Sequence, residues 1–352
     1  MDTLYPKITG KQNEFVARLG KLGFRPGTIE LIGTVKLHGA HADIVIDSQE
    51  DIRFQSRNAL SIDPGNDNYG FVASMRPFTN KLLDLKNQYH ARYAQLNPQT
   101  PIDPQYPLII GGEWIGRGIQ KNVAISGLNR SFVIISVNVN GTWQPDELYA
   151  DVQDESAGIY NISRGGFYYQ SLSLDPPGDK LRLKGTASFA AMQETTDAID
   201  KVCPFASSFD ITGTGEGIVW KPRYPPFSAD PKLWYKTKGR THLGVQTSRK
   251  AKSAKQVEQV TAKEPALARA QAFAERAVTE RRLEQGMEYL QEKGLRMEQN
   301  NDPLFTLWVR NDVLIEEKMD IEEAGIDKKF LCLEVGRIAH EYFLERLQSS
   351  EV

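Results

Sequence analysis

Leu31-Ile32-Gly33-Thr34-Val35-Lys36-Leu37-His38-Gly39-Ala40-His41-Ala42-Asp43-Ile44-Val45-Ile46 is the stretch on which the fold turns. Two β-branched runs flank a short polar break, the pattern of paired strands around a tight connection. A lysine at a strand end, an imidazole two residues on and a glycine that admits a close ligand can serve as an amine nucleophile held beside a phosphate. By themselves the four residues Lys36 to Gly39 describe an ordinary loop, because strand-terminal lysines are normally solvated and His-Gly is a common turn. Their company along the chain decides between the two.

Outward from that stretch, short strand-like runs continue to about Trp234, broken by Gly, Pro, Asn and Asp. Ile52 to Arg57, Leu108 to Glu113, Ser131 to Val139 and Glu216 to Trp220 are the clearest, and their spacing predicts antiparallel sheet. Helical excursions are expected near Gly70 to Lys86 and Ala187 to Val202. Past Gly244 the pattern changes. Arg249, Lys250, Lys252 and Lys255 form a basic connector, and from Pro265 onward the residues are helix formers. Asp302 before Pro303 reads as an N-cap, Asp320 with Glu323 as a capping box closed by Gly325, and Leu331, Val335, Ile338 and Tyr342 as one apolar helical stripe. The expected fold is therefore α+β, with an antiparallel-sheet domain over 1–244 and a small all-helical domain over 245–352.

Composition narrows the function classes. The 352 residues are 40% apolar, enough for a sizeable core, and the net charge of -2 excludes a global basic field of the kind that drives indiscriminate nucleic-acid binding. Any polyanion site must be local. Cys203 and Cys332 lack metal-ligand spacing, and no apolar run reaches membrane-spanning length. An intracellular protein, cytoplasmic or nuclear with an organelle left open, is expected.

Chemistry-bearing residues recur in order. Glu113 lies in Gly111-Gly112-Glu113-Trp114-Ile115-Gly116, where small neighbours permit a ligand's approach and a carboxylate can accept both hydroxyls of a ribose. Phe132 heads an apolar run and can be core or a platform for a purine. Glu216 opens a β-branched strand, and Lys236-Thr237-Lys238 closes another, with period-two geometry sending both lysines to one face.

These pieces in this order resemble the covalent nucleotidyltransferases, the superfamily of ATP-dependent ligases and RNA capping enzymes. Lys36-Leu37-His38-Gly39 resembles the RNA ligase 2 type, whereas capping enzymes and DNA ligases usually carry acidic Asp-Gly after the lysine. The resemblance begins at Tyr5-Pro6-Lys7-Ile8. It runs through Ser56-Arg57-Asn58, Gly112-Glu113, Phe132, Glu216-Gly217 and Lys236-Thr237-Lys238, and ends in a helical domain where DNA ligases would have an OB fold.

The resemblance implies an adenylyltransferase domain and an ATP-dependent RNA ligase that works through a lysyl-adenylate on Lys36. Lys236 and Lys238 would neutralise the α-phosphate, Glu216 would hold Mg2+ or Mn2+, and His38 would meet the departing pyrophosphate. Glu113 would fix the ribose and Phe132 the adenine, while Arg57 would serve the ribose or the RNA 5′-phosphate. Val35 takes the adenine-facing place where several relatives carry Glu, and His41 stands where relatives often have Asn. The implied partners are ATP and RNA with 3′-OH and 5′-phosphate ends, bound by a monomer without a membrane, with the basic connector as a candidate RNA contact. The alternatives are an inactive nucleotide- or RNA-binding relative, or a guanylyltransferase or DNA ligase relative.

Overall fold

The computed structural model describes residues 5–25, 27–175, 182–183, 187–239 and 264–350. The chain divides into two compact units, Met1–His242 and Leu243–Val352. The basic connector Arg249, Lys250, Lys252 and Lys255 lies outside the described residues.

In the first unit, α1 (Gln12–Lys21) precedes β1 (Gly27–Lys36), β2 (Ala40–Ile46) and β3 (Ile52–Ser56). Then come α2 (Phe71–Met75), α3 (Thr79–Leu96), β4 (Leu108–Ile115), β5 (Ser131–Val139), β6 (Thr142–Trp143) and β7 (Ile159–Asn161). The unit closes with β8 (Tyr168–Asp175), β9 (Arg182–Leu183), α4 (Ala187–Lys201), α5 (Pro204–Ser207), β10 (Gly217–Pro222) and β11 (Tyr235–Lys238). Among the described residues the strands make two sheets. The first has the order β11-β10-β1-β8-β9, and the second β3-β2-β4-β5-β6 with β7 beside β5. Every pairing is antiparallel except β5 with β7.

Side-chain alternation assigns each sheet two faces. One face of the first sheet sends Leu31, Val35, Ile218 and Trp220 into a core with Phe15 and Leu19 of α1, Met192 of α4 and Phe205 of α5. The outer face of the second sends Ile44, Ile46, Ile110, Trp114, Phe132 and Ile134 against Phe71 of α2 and Leu82, Leu85 and Tyr89 of α3. The remaining faces meet across a cleft of mixed character, where Lys221 of β10 donates to Ser136 Oγ of β5 at 2.6 Å and Val45, Ile109, Trp143 and Trp234 pack as an apolar cluster. Because β4 is buried at every position, it reads as an apolar and glycine run interrupted by Glu113 rather than as an alternating strand.

The second unit is helical: α6 (Glu264–Ala277), α7 (Glu280–Glu292), α8 (Asp302–Glu316), α9 (Lys318–Glu323) and α10 (Lys328–Ser350). Phe273, Phe305, Val309, Leu331, Val335, Ala339 and Phe343 form its core, with Ile338 and Tyr342 partly buried against it. Asp302 is not the cap the sequence suggests. Its backbone is already helical, and its carboxylate takes the Thr306 hydroxyl at 3.1 Å and lies 2.6 Å from His340 Nδ1. Asp320 likewise falls inside α9, which starts at Lys318 without a side-chain cap, whereas Gly325 does end that helix in the left-handed conformation (φ +57°) that glycine favours. Among the described residues no helix is long and apolar enough to cross a membrane.

Candidate active site

Three adjacent strands bring the basic residues together. Lys36, the last residue of β1, pairs with Gly217 of β10, which on its other side pairs with Lys238 of β11. The two lysines therefore point from the same face with a side-chain-free position between them. Thr34, Val219 and Lys236 repeat the arrangement two residues back. Gly217 is required for the approach, since a Cβ there would collide with the carbonyl oxygen of Thr237.

One carboxylate gathers these cations. Glu216, fully buried in its side chain, accepts from Lys36 Nζ at 2.6 Å through Oε2 and pairs with Lys238 Nζ at 3.1 Å through Oε1. His38 Nδ1 lies 3.3 Å from the same Oε2. Two ammonium groups and an imidazole around a single buried anion leave positive charge in excess, which suits a phosphate. Magnesium binds through one or two carboxylates plus substrate phosphates and keeps its own waters, so one buried carboxylate fits a hydrated ion rather than an all-protein cage. Among the described residues no group of three or more His, Cys, Asp or Glu side chains could hold a metal on its own.

The second sheet supplies the opposite wall. Glu113 of β4 accepts the Gly39 backbone N–H at 2.9 Å and so anchors the loop behind Lys36. Gly39 admits no side chain, because a Cβ would press on the Trp114 carbonyl and would stand 2.9 Å from Glu113 Cγ. Gln120 reaches the Gly39 carbonyl at 3.5 Å. His41 sits opposite Glu113 in register on β2 and shares its face. Arg57 follows β3 directly, and its charge acts on His41.

Two expected base contacts point elsewhere. Phe132 pairs with Trp114, not with Glu113, so its ring faces the outer core, where its centroid is 5.3 Å from that of Phe71. Gly112 leaves it room. Val133 is Glu113's partner, and a register shift between Gly111 and Gly112 places Ile135 on the cleft side as the extra residue of β5. Val35 likewise turns away from Lys36 into the first core, against Gly165. Val219 lies on the lysine face of β10, between Thr34 and Lys236, and Ile135 is partly buried.

A buried charge pair has no local signal in the sequence. Lys221 and Asp146 meet at 2.7 Å with side chains only 6% and 7% exposed, and Lys221 also stands 4.2 Å over the Trp234 ring. Burial pulls Lys221 below the usual lysine range and lifts Asp146 above the usual carboxylate range, each shift opposed by the partner's charge. Tyr5 closes this end of the cleft, its hydroxyl 3.0 Å from Ser136 Oγ and its ring against Trp143 and Trp234. Period two from Gly217 places Lys221 on the lysine face, but nothing local marks Asp146.

Comparison with known proteins supplies the family. No curated protein sequence matches the chain. Among solved structures, an RNA ligase of Naegleria gruberi with pyrophosphate is 16% identical with a TM-score of 0.39, over 68% of this chain and 58% of that one. An archaeal ATP-dependent RNA ligase is 15% identical with a TM-score of 0.36, over 99% of this chain and 74% of that one. The chain thus spans a little over half the length of the Naegleria ligase. The model of the RNA ligase family matches residues 29–238, from the third residue of β1 to the end of β11, and with them every residue of the lysine–glutamate site. The chain belongs to the RNA ligase family.

Proposed function

We propose that this chain is an ATP-dependent RNA ligase of the RNA ligase 2 type, joining an RNA 3′-OH to a 5′-phosphate through a lysyl-adenylate and an RNA-adenylate. The observation that carries the proposal is Glu216 held between Lys36 and Lys238 across Gly217. Lys36 is the nucleophile. Its amine attacks the α-phosphorus of ATP, the bond to pyrophosphate breaks, and the ammonium proton is lost. An RNA 5′-phosphate oxygen then attacks the adenylate, breaking the Lys36–phosphorus bond, and an RNA 3′-OH finally displaces AMP.

Each helper follows from its position. Lys236 and Lys238 face the same side as Lys36 and would stabilise charge on the α-phosphoryl oxygens as the in-line transition state forms. His38, within reach of Glu216, serves the departing pyrophosphate. Glu113 binds the ribose, Arg57 offers a forked donor to the ribose or the RNA 5′-phosphate, and Ile135 and Val219 flank the base in place of Phe132 and Val35. Glu216 would hold Mg2+ or Mn2+, which supplies charge neutralisation at the phosphates when bound. The helical unit is assigned to RNA.

Lys36 donates to Glu216, and an ammonium does not attack. Nucleotide binding has to draw the carboxylate away from it, which couples activation of the nucleophile to the arrival of substrate.

The test is covalent labelling. Incubation with Mg2+ and ATP labelled at the α or the γ phosphate, followed by a denaturing gel, should leave label on the protein from α-labelled ATP alone, and none on Lys36→Ala. GTP in parallel separates a guanylyltransferase relative. Absence of α label on the wild type across metals and pH would leave the inactive-relative reading in its place.

A further inference from the structure

We propose that His41 binds phosphate as an imidazolium, held in orientation by Asp43, and that this pair limits the pH range over which the cleft grips the pyrophosphate of ATP or the 5′-phosphate of an RNA end. The inference rests on the proposed ligase function. It gives a task to a residue that departs from the Asn often found in enzymes the chain resembles.

The geometry comes first. His41 stands opposite Glu113 in register, two residues past the loop glycine that Glu113 anchors, so its ring emerges on the nucleotide wall of the second sheet. The ring keeps 13% of its surface open, whereas Asp43 has none. Nε2 lies 3.0 Å from Asp43 Oδ1, a close ion pair not aligned well enough to be a hydrogen bond. Both Asp43 oxygens, and both amide atoms of its cross-strand partner Gln55, are buried without a hydrogen-bond partner among the described residues. A buried carboxylate in that state demands a cation, and among the described residues His41 stands beside it.

Tautomer chemistry supplies the link to phosphate. A neutral imidazole carries one N–H, and if Nε2 gives it to Asp43, then Nδ1 presents a lone pair to whatever enters the cleft. An anionic phosphate is repelled by that lone pair. Only the imidazolium can satisfy Asp43 and donate to a phosphate oxygen together. An Asn amide donates at any pH, so in His41→Asn the condition disappears.

The groups around the ring favour the charged form. Asp43 lies on its own strand, Glu113 faces it from β4, Arg57 approaches from the end of β3, and the Tyr5 ring of the N-terminal segment packs at 4.5 Å. Burial alone would lower the imidazole's pKa. The charge and proximity of Asp43, aided by Glu113 and opposed by Arg57, outweigh burial and hold it above the ordinary value. Burial keeps the Tyr5 phenol neutral.

Calorimetric titration with inorganic pyrophosphate from about pH 6 to 9, the range of histidine chemistry, tests the inference on the full chain. Comparing wild type with His41→Asn cancels the titration of pyrophosphate itself. Wild-type affinity should fall by about tenfold more than the variant's as the imidazolium is lost, and Asp43→Asn should move that fall to lower pH. Parallel pH dependence in wild type and His41→Asn would overturn the proposal. Should either variant fold poorly, the imidazole 15N signal of wild-type His41 decides alone, since pyrophosphate must raise its apparent pKa, and no change overturns the proposal. Repeating the titration with 5′-phosphorylated and 5′-hydroxyl oligonucleotides tells the RNA end from the ATP leaving group. A wild type that binds pyrophosphate in this way yet takes no α label would sink the ligase reading and leave this one standing.

Discussion

Lys36 and Lys238 stand on either side of a residue without a side chain, and Glu216, the residue before it, reaches both. Two like charges so placed repel unless the carboxylate or a phosphate lies between them. Glu216→Gln keeps the shape and removes the charge. It should slow lysyl-adenylate formation on the order of 100-fold, in the range for lost electrostatic stabilisers, as measured by uptake of α-labelled ATP. Wild-type labelling in that variant would mean that the shared carboxylate is not needed.

Phe132 and Ile135 should separate stability from nucleotide binding. Truncating a fully buried ring costs about 3 to 5 kcal/mol, so Phe132→Ala should lower the urea midpoint sharply, while the milder Phe132→Leu should keep its KM for ATP. Ile135→Ala, a partly buried position, should raise the KM several-fold with a smaller loss of midpoint than Phe132→Ala. A raised KM in Phe132→Leu would restore the ring as the base platform.

The Lys221–Asp146 pair ties β10 of the first sheet to the turn that follows β6. Lys221→Met strands a buried carboxylate and should destabilise the chain by about 3 to 5 kcal/mol, whereas Lys221→Met with Asp146→Asn should recover much of that loss. Denaturant unfolding of the two variants makes the comparison. Equal loss in both would show that packing over Trp234, not charge, carries the interaction.

Stability should also depend on pH through His41. Its folded pKa lies above the ordinary 6.5, so the imidazolium's contribution is fully present below about pH 6.5 and is lost as pH rises through the folded value. Thermal midpoints of wild type should therefore decline over that window relative to His41→Asn. A constant difference between the two would deny the ion pair any energetic role.

Truncation after residue 245 should largely preserve self-adenylylation and impair end joining. The labelled sites and both sheets precede that point, and the first unit has its own cores. A denaturing gel of a nicked or broken RNA reads joining. Equal joining by the shortened chain would assign RNA recognition to the first unit.

The lysine–glutamate hub was visible in the sequence because period-two alternation fixes which side chains share a face within one strand, as in Lys236 and Lys238. Pairing between strands was not. Phe132 sounded like a base platform, yet one extra residue at the β4–β5 register shift hands the cleft face to Ile135, and no local pattern marks a bulge there. Asp146 finds Lys221 across 75 positions of chain, a contact that exists only once the sheets close. Asp302 had the composition of a cap but sits one residue inside its helix, where His340 from α10 claims it.

Glu113 also carries a mechanical meaning. By holding the Gly39 amide it fastens the nucleophile's loop to the strand assigned to the sugar. On the proposed function a ribose would share that carboxylate with the loop amide, so nucleoside and nucleophile would be joined through one side chain. A site wired in this way would sense its substrate through the backbone, and the chain's single glycine between histidine and alanine is the joint on which that sensing would turn.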